Sequence, residues 1–160
     1  MLAPINTILY ACDLEGQTQS ALELVMNLAL AHQAKVIIMH SMEPLSTQTN
    51  SMIYNYVSAE VSKKMQEEAV RNVKERMDQQ LDRFMEEHKD TLAALTSTPE
   101  RLIVNGIASD AIQYTAEEKG ADMIVMNSRT HSRIGQMIIG STANKIIHHS
   151  KIPVLVVPIK

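Results

Sequence analysis

Tryptophan is absent, and aromatic residues make up 3% of the chain, as four tyrosines and one phenylalanine. A core without large rings must be filled by aliphatic side chains and by the eleven methionines, whose flexible thioethers fit irregular gaps. Cysteine occurs once, as Cys12. That excludes an internal disulfide and suits a reducing compartment. Excess positive charge is missing as well. Fifteen Lys and Arg stand against eighteen Asp and Glu, a formal net charge of −3, which argues against a nucleic-acid binder with a basic face.

Other absences narrow the class further. No apolar run approaches the ~20 residues of a membrane span. The opening Met1-Leu2-Ala3-Pro4 has neither the basic region nor the apolar core of a secretory signal. The expectation is a soluble, cytoplasmic protein with no membrane or nucleic-acid partner. Histidine and cysteine spacings for a metal site are lacking, as is the G-x-x-x-x-G-K-[S/T] of a P-loop. No nucleophile–base pair stands out, so no catalytic residue and no metal ligand are assigned. Cys12 is read as core. His148 and His149 are read as cations complementing a helix C-terminus.

What is present is alternation. The short apolar runs are Ile8-Leu9-Tyr10-Ala11-Cys12, Val36-Ile37-Ile38-Met39-His40, Arg101-Leu102-Ile103-Val104, Met123-Ile124-Val125-Met126 and Val154-Leu155-Val156-Val157. Longer helical patterns at 20–32, 58–89, 108–119 and 140–149 separate them. Near-continuous apolar strands belong to a parallel sheet covered on both faces. The reading is an α/β fold: a doubly wound, open sheet of five parallel strands with helices on both faces. At 160 residues it is one domain spanning 1–160.

The pattern at 58–89 predicts a single amphipathic helix. Val57, Val61, Met65, Ala69, Val73, Met77 and Leu81 recur at four-residue steps, with Val70, Phe84 and Met85 widening the stripe. Lys63, Glu67, Arg71, Glu75, Asp82 and Glu86 form a solvated face of both signs. The polar segment 43–55 is expected to loop over the ligand crevice, and 88–99 to be a connection.

Function is sought at the strand ends, because a doubly wound sheet binds ligands beyond the carboxyl ends of its strands. Asp13, Ser41, Gly106 and Asn127 stand there. Gly140-Ser141-Thr142 then opens a helix with hydroxyls and no bulk, leaving free N–H groups and a positive dipole end suited to phosphate.

Taken together, certain segments resemble the universal stress protein family over essentially the full length. They are Ile8 to Asp13 with Ser20-Ala21-Leu22, Val104-Asn105-Gly106, Gly120 to Met126, and Gly140-Ser141-Thr142 with Pro153 to Pro158. The resemblance implies the adenine nucleotide alpha hydrolase-like form of this sheet, an ATP or related adenine-nucleotide ligand with or without Mg, and a dimeric stress-response regulator. Hydrolysis is expected to be slow and incidental at most.

In the family's nucleotide-binding branch the loop after strand four reads G-x-x-G-x(9)-G-[S/T]. Gly140 and Ser141 match its end, while Asn127 and Thr130 stand where the first two glycines belong. Asn tolerates a left-handed turn and is expected to keep it, whereas β-branched Thr130 is expected to reshape or stiffen the loop. Arg129, Ser132 and Arg133 can add bonds to a phosphate, or with His131 merely solvate a surface loop.

The residues assigned to the nucleotide are Ala11, Asp13, Ser41, Met126, Asn127, Thr130, Gly140, Ser141 and Thr142. Asp13 reads equally as a polar contact to the nucleoside or as a cap for the chain that follows. Gly106 is read as a structural turn. The last strand, close to the C-terminus, is placed at the sheet edge, where Val154, Leu155, Val156 and Val157 would pair with the same strand of a second copy. The family resemblance implies that homodimer too. The alternative reading is a nucleotide-free member acting only through protein contacts, favoured by Asn127 and Thr130.

Overall fold

Successive side chains of each main strand point to opposite faces, and in the three inner strands of this protein both faces are buried. A computed structural model describes residues 2–14, 18–43, 58–130 and 137–159. The first half of the chain gives β1 (Thr7–Ala11), α1 (Gln19–His32), β2 (Lys35–Met42), α2 (Ala59–Glu87) and the short α3 (Lys89–Leu92). The second half gives β3 (Glu100–Asn105), α4 (Ala108–Glu118), β4 (Met123–Asn127), β5 (Arg129–Thr130), β6 (Met137–Ile138), α5 (Ser141–His149) and β7 (Val154–Val157).

Five strands form one sheet in the order β3-β2-β1-β4-β7, and every pairing in it is parallel. The order reverses between β1 and β4, which places the topological switch point at their carboxyl ends. β7 is an edge strand, as its sequence position implies. Asp122 fixes the start of the central pair: its Oδ2 accepts from the amides of Asn6 at 2.8 Å and Thr7 at 2.9 Å.

The sheet divides two apolar layers. Ile8, Tyr10, Cys12, Val36, Ile38 and Val125 pack on one side with Leu22, Val25 and Met26 of α1 and Met77, Leu81 and Phe84 of α2. Leu9, Ile37, Met39, Ile124 and Met126 pack on the other with Ala111, Ile112 and Ala116 of α4 and Ala143 and Ile146 of α5. Such two-sided burial is why the strands read as unbroken apolar runs.

Three expectations need correction. The four-residue stripe of the long helix is not one face. Each step of four advances about 40° around the axis, so Met77 lies about 160° from Val61. Among the described residues of α2 only Met77, Leu81 and Phe84 are buried, while Val61 and Met65 are 46% and 52% exposed. Second, the 88–99 connection contains a helical turn, α3. Third, the stretch after β4 is not merely a loop, since β5 and β6 pair antiparallel, Arg129 with Ile138 and Thr130 with Met137. The segment expected to overhang the crevice lies, beyond Glu43, outside the described residues.

Gly106 serves the turn into α4 as expected. Its φ of +152° is open to glycine, and its N–H donates to the Met42 carbonyl at 2.9 Å. Among the described residues no helix is long and apolar enough to cross a membrane.

Candidate functional site

At the switch point the carboxyl ends of β1, β2 and β4 meet the amino end of α5 around a cleft of about 400 Å³. Eight of the nine residues assigned from sequence line it: Ala11, Asp13, Ser41, Met126, Asn127, Gly140, Ser141 and Thr142. Thr130 sits in β5, its backbone paired with Met137. His131, Ser132 and Arg133 lie outside the described residues.

The amino end of α5 is open. Gly140 is its N-cap, with φ −59° and ψ 162°, and no side chain caps it. The first intrahelical bond is Asn144 N–H to the Gly140 carbonyl at 2.9 Å. The amides of Ser141, Thr142 and Ala143 therefore precede the ladder and face outward at the positive pole of the dipole. Gly140 adopts an ordinary negative φ, so its value is lack of bulk beside the cleft, not backbone freedom. At the other end of α5, the ring Nδ1 of His149 sits 2.9 Å from the Lys145 carbonyl, a bond that closes the last turn.

Asn127 does not adopt the expected left-handed turn. Among the described non-glycine residues only Gln33 has positive φ. Asn127 is instead the last residue of β4, paired with Val157, and Ser128 N–H donates to the Val157 carbonyl at 2.9 Å. The ladder to β7 thus runs to the end of β4 and keeps the backbone extended there. The Asn127 side chain accepts from the Tyr10 hydroxyl through Oδ1 at 2.7 Å. Its Nδ2, like the hydroxyl of Ser128, is buried with no hydrogen-bond partner among the described residues.

The structure adds residues that sequence reasoning missed. Cys12, Met39, His40, Glu43, Ala108, Ile112 and Ala143 also line the cleft. His40 Nδ1 lies 2.9 Å from the Cys12 carbonyl, so this nitrogen carries the proton and the ring ties β2 to the chain leaving β1. Its signal in the sequence was weak, a lone histidine at a strand end. Cys12 is core as expected. Burial, and then the neighbouring charge of Asp13, push its thiol up to about 12, which leaves it without thiolate character at neutral pH. Burial first, then Cys12 and Asp13, also raise the Tyr10 hydroxyl far above its ordinary value, so Tyr10 keeps its proton. Thr18 is the N-cap residue of α1.

Chemically, the cleft offers backbone donors at α5, hydroxyls at Ser41, Ser141 and Thr142, and apolar walls from Ala11, Met39, Ile112 and Met126. That combination suits a ligand with a flat apolar part and an anionic part. Among the described residues no group of three or more His, Cys, Asp or Glu side chains is placed to hold a metal ion.

Comparison with known proteins gives the same direction. The model of the universal stress protein family matches residues 4–158. Universal stress protein MJ0577 of Methanocaldococcus jannaschii is 26% identical over 150 residues, covering 94% of this chain and 93% of that protein. A Thermus aquaticus universal stress protein is 28% identical over 154 residues, covering 95% and 98%. The solved structure of MJ0577 superposes with a TM-score of 0.68 at 25% identity, covering 99% of both chains. A universal stress protein in complex with cAMP superposes with a TM-score of 0.59 at 22% identity, covering 99% of this chain and 100% of that one. At that identity it speaks to the fold.

Proposed function

The chain belongs to the universal stress protein family, and from that premise we propose that its cleft binds an adenine nucleotide and that the protein works as a dimeric stress-response regulator. One observation carries the reading: eight residues assigned from sequence line a single cleft at the β1/β4 switch point, against an uncapped helix start. A family member solved with cAMP supports an adenine ligand for this fold.

In this reading the amides of Ser141, Thr142 and Ala143 hold phosphate, with the two hydroxyls assisting. Ala11, Met126 and Ser41 flank the base, and Asp13 contacts the nucleoside. Asn127 and Thr130 contribute through their backbones. The described lining residues include no Lys or Arg, and Glu43 joins Asp13 among them. A triphosphate is therefore expected to bind better with Mg as its counter-charge, and a monophosphate to be indifferent to it. Bound nucleotide would act by favouring one state of the surface presented to partners. No general base is assigned, so ATP turnover is not the proposed activity.

The second reading, a nucleotide-free member acting through protein contacts, is favoured by the side chain at Asn127 and by Thr130 in β5. Calorimetry separates the two. AMP, and ATP with Mg, should release measurable heat with the native chain, and Gly140→Val, which crowds the amino end of α5, should weaken binding at least about tenfold. No heat at millimolar nucleotide would leave the nucleotide-free reading.

A further inference from the structure

We propose that Tyr10 is a positioning residue that holds the side chain of the cleft-lining Asn127 against the α1/α2 face of the sheet, as a latch, so that it does not extend further into the space for ligand. The proposal rests on the nucleotide reading above. Its basis is the register and the alternation of two adjacent strands.

Tyr10 of β1 pairs with Val125 of β4. Asn127 stands two residues beyond Val125, so its side chain leaves the sheet on the same face. That face is the α1/α2 side, where Tyr10 and Val125 are wholly buried. Most of the apolar wall of the cleft comes from the opposite side, from Met39, Ile112, Met126 and Ala143 beside α4 and α5, with Cys12 lining it from the α1/α2 side. Diagonal neighbours on one face of a sheet come within reach of an aromatic side chain, and the Tyr10 hydroxyl meets Asn127 Oδ1 at 2.7 Å.

The orientation of the amide follows from the hydroxyl. Tyr10 is 0% exposed, so its O–H must find an acceptor inside the protein, and Oδ1 provides it. The amide nitrogen is then left buried without a partner among the described residues. An unpaired buried donor is unfavourable. Turning the amide over would leave the tyrosine proton only the weaker sulfur acceptor of Cys12, and swinging the side chain out would sacrifice the bond to Oδ1. Without the latch, the side chain gains access to other staggered rotamers, and those pointing across the end of β4 compete with ligand. Apparent affinity then falls with the fraction of molecules whose cleft is clear.

The experiment is AMP calorimetry on the full chain and three variants. Tyr10→Phe should weaken AMP about three- to tenfold. In the Asn127→Gly background, which has no side chain to hold, adding Tyr10→Phe should change AMP affinity by less than about twofold. Adding Asn127→Gly to Tyr10→Phe should restore the lost affinity, an outcome that a merely structural tyrosine would not give. The latch is overturned if Tyr10→Phe binds as the native chain does, or if the double variant stays as weak as Tyr10→Phe. It is also overturned if the two substitutions weaken AMP additively, because the tyrosine would then act without the Asn127 side chain. A slowly exchanging Tyr10 hydroxyl proton in contact with the Asn127 amide should persist at AMP saturation in the native chain, and its loss overturns the latch even where Tyr10→Phe fails to fold. Absence of AMP binding by the native chain would instead remove the nucleotide reading itself.

Discussion

Arg101 Nη1 lies 2.9 Å from Asp78 Oδ1, joining the edge strand β3 to α2. The same guanidinium reaches Asp82 at 2.7 Å through Nη2, so one cation spans a turn of the helix. It lies next to the half of α2 that is packed, where Met77 and Leu81 meet the sheet.

This bridge makes stability sensitive to acid. The Arg101 hydrogen bond, aided by Lys74, holds the Asp78 carboxyl below its ordinary value. Lys119, then Lys35, do the same for Glu100. Carboxyls depressed in the folded state contribute stability that is complete above their unfolded pKa, near 4, and is lost as pH falls through the lower folded values. Urea midpoints should therefore hold steady from pH 7 to about 5 and drop below about 4. Arg101→Met should lower the midpoint at neutral pH and make the acid loss shallower. An identical acid profile in the variant would contradict the assignment.

The two halves of α2 should respond differently to truncation. Leu81 is 2% exposed and Met65 is 52% exposed. Leu81→Ala should cost about 2–5 kcal/mol by leaving a cavity, whereas Met65→Ala should stay within about 0.5 kcal/mol. Equal losses in denaturant unfolding would mean that the four-residue stripe is a single packed face after all.

The proposed dimer can be tested through ladder geometry. Ile124 N–H donates to the Pro153 carbonyl and Ser128 N–H to the Val157 carbonyl. Residues 153, 155 and 157 therefore turn their backbone groups toward β4, and Val154 and Val156 turn theirs to the free edge. Val156→Pro removes one outward donor and is compatible with an edge strand. Light scattering at micromolar concentration should give a dimeric mass for the native chain and a monomeric one for Val156→Pro. A monomeric native chain would remove the dimer.

How far the sequence reached depended on the range of the interactions involved. The five main strands were legible because burial on both faces leaves an apolar run, and four helices were legible from their periodicity. β5 and β6 were not, since a two-residue strand carries no pattern. The turn expected at Asn127 followed from its tolerance of positive φ, but pairing with β7 overrode that local preference. Eight cleft residues were found because strand ends and a glycine–hydroxyl helix start can be read in one dimension. His40, Ile112 and the Tyr10–Asn127 contact were missed because the sheet order brings them together, and no local signal encodes it.

The central claim is that the cleft at the β1/β4 switch point holds an adenine nucleotide against the start of α5. An AMP titration followed by backbone amide resonances tests it most directly. The account predicts the largest shifts at Ser141, Thr142 and Ala143, with smaller ones at Ala11, Asp13 and Ser41. Unchanged spectra at millimolar AMP, or shifts confined to other parts of the molecule, would contradict it.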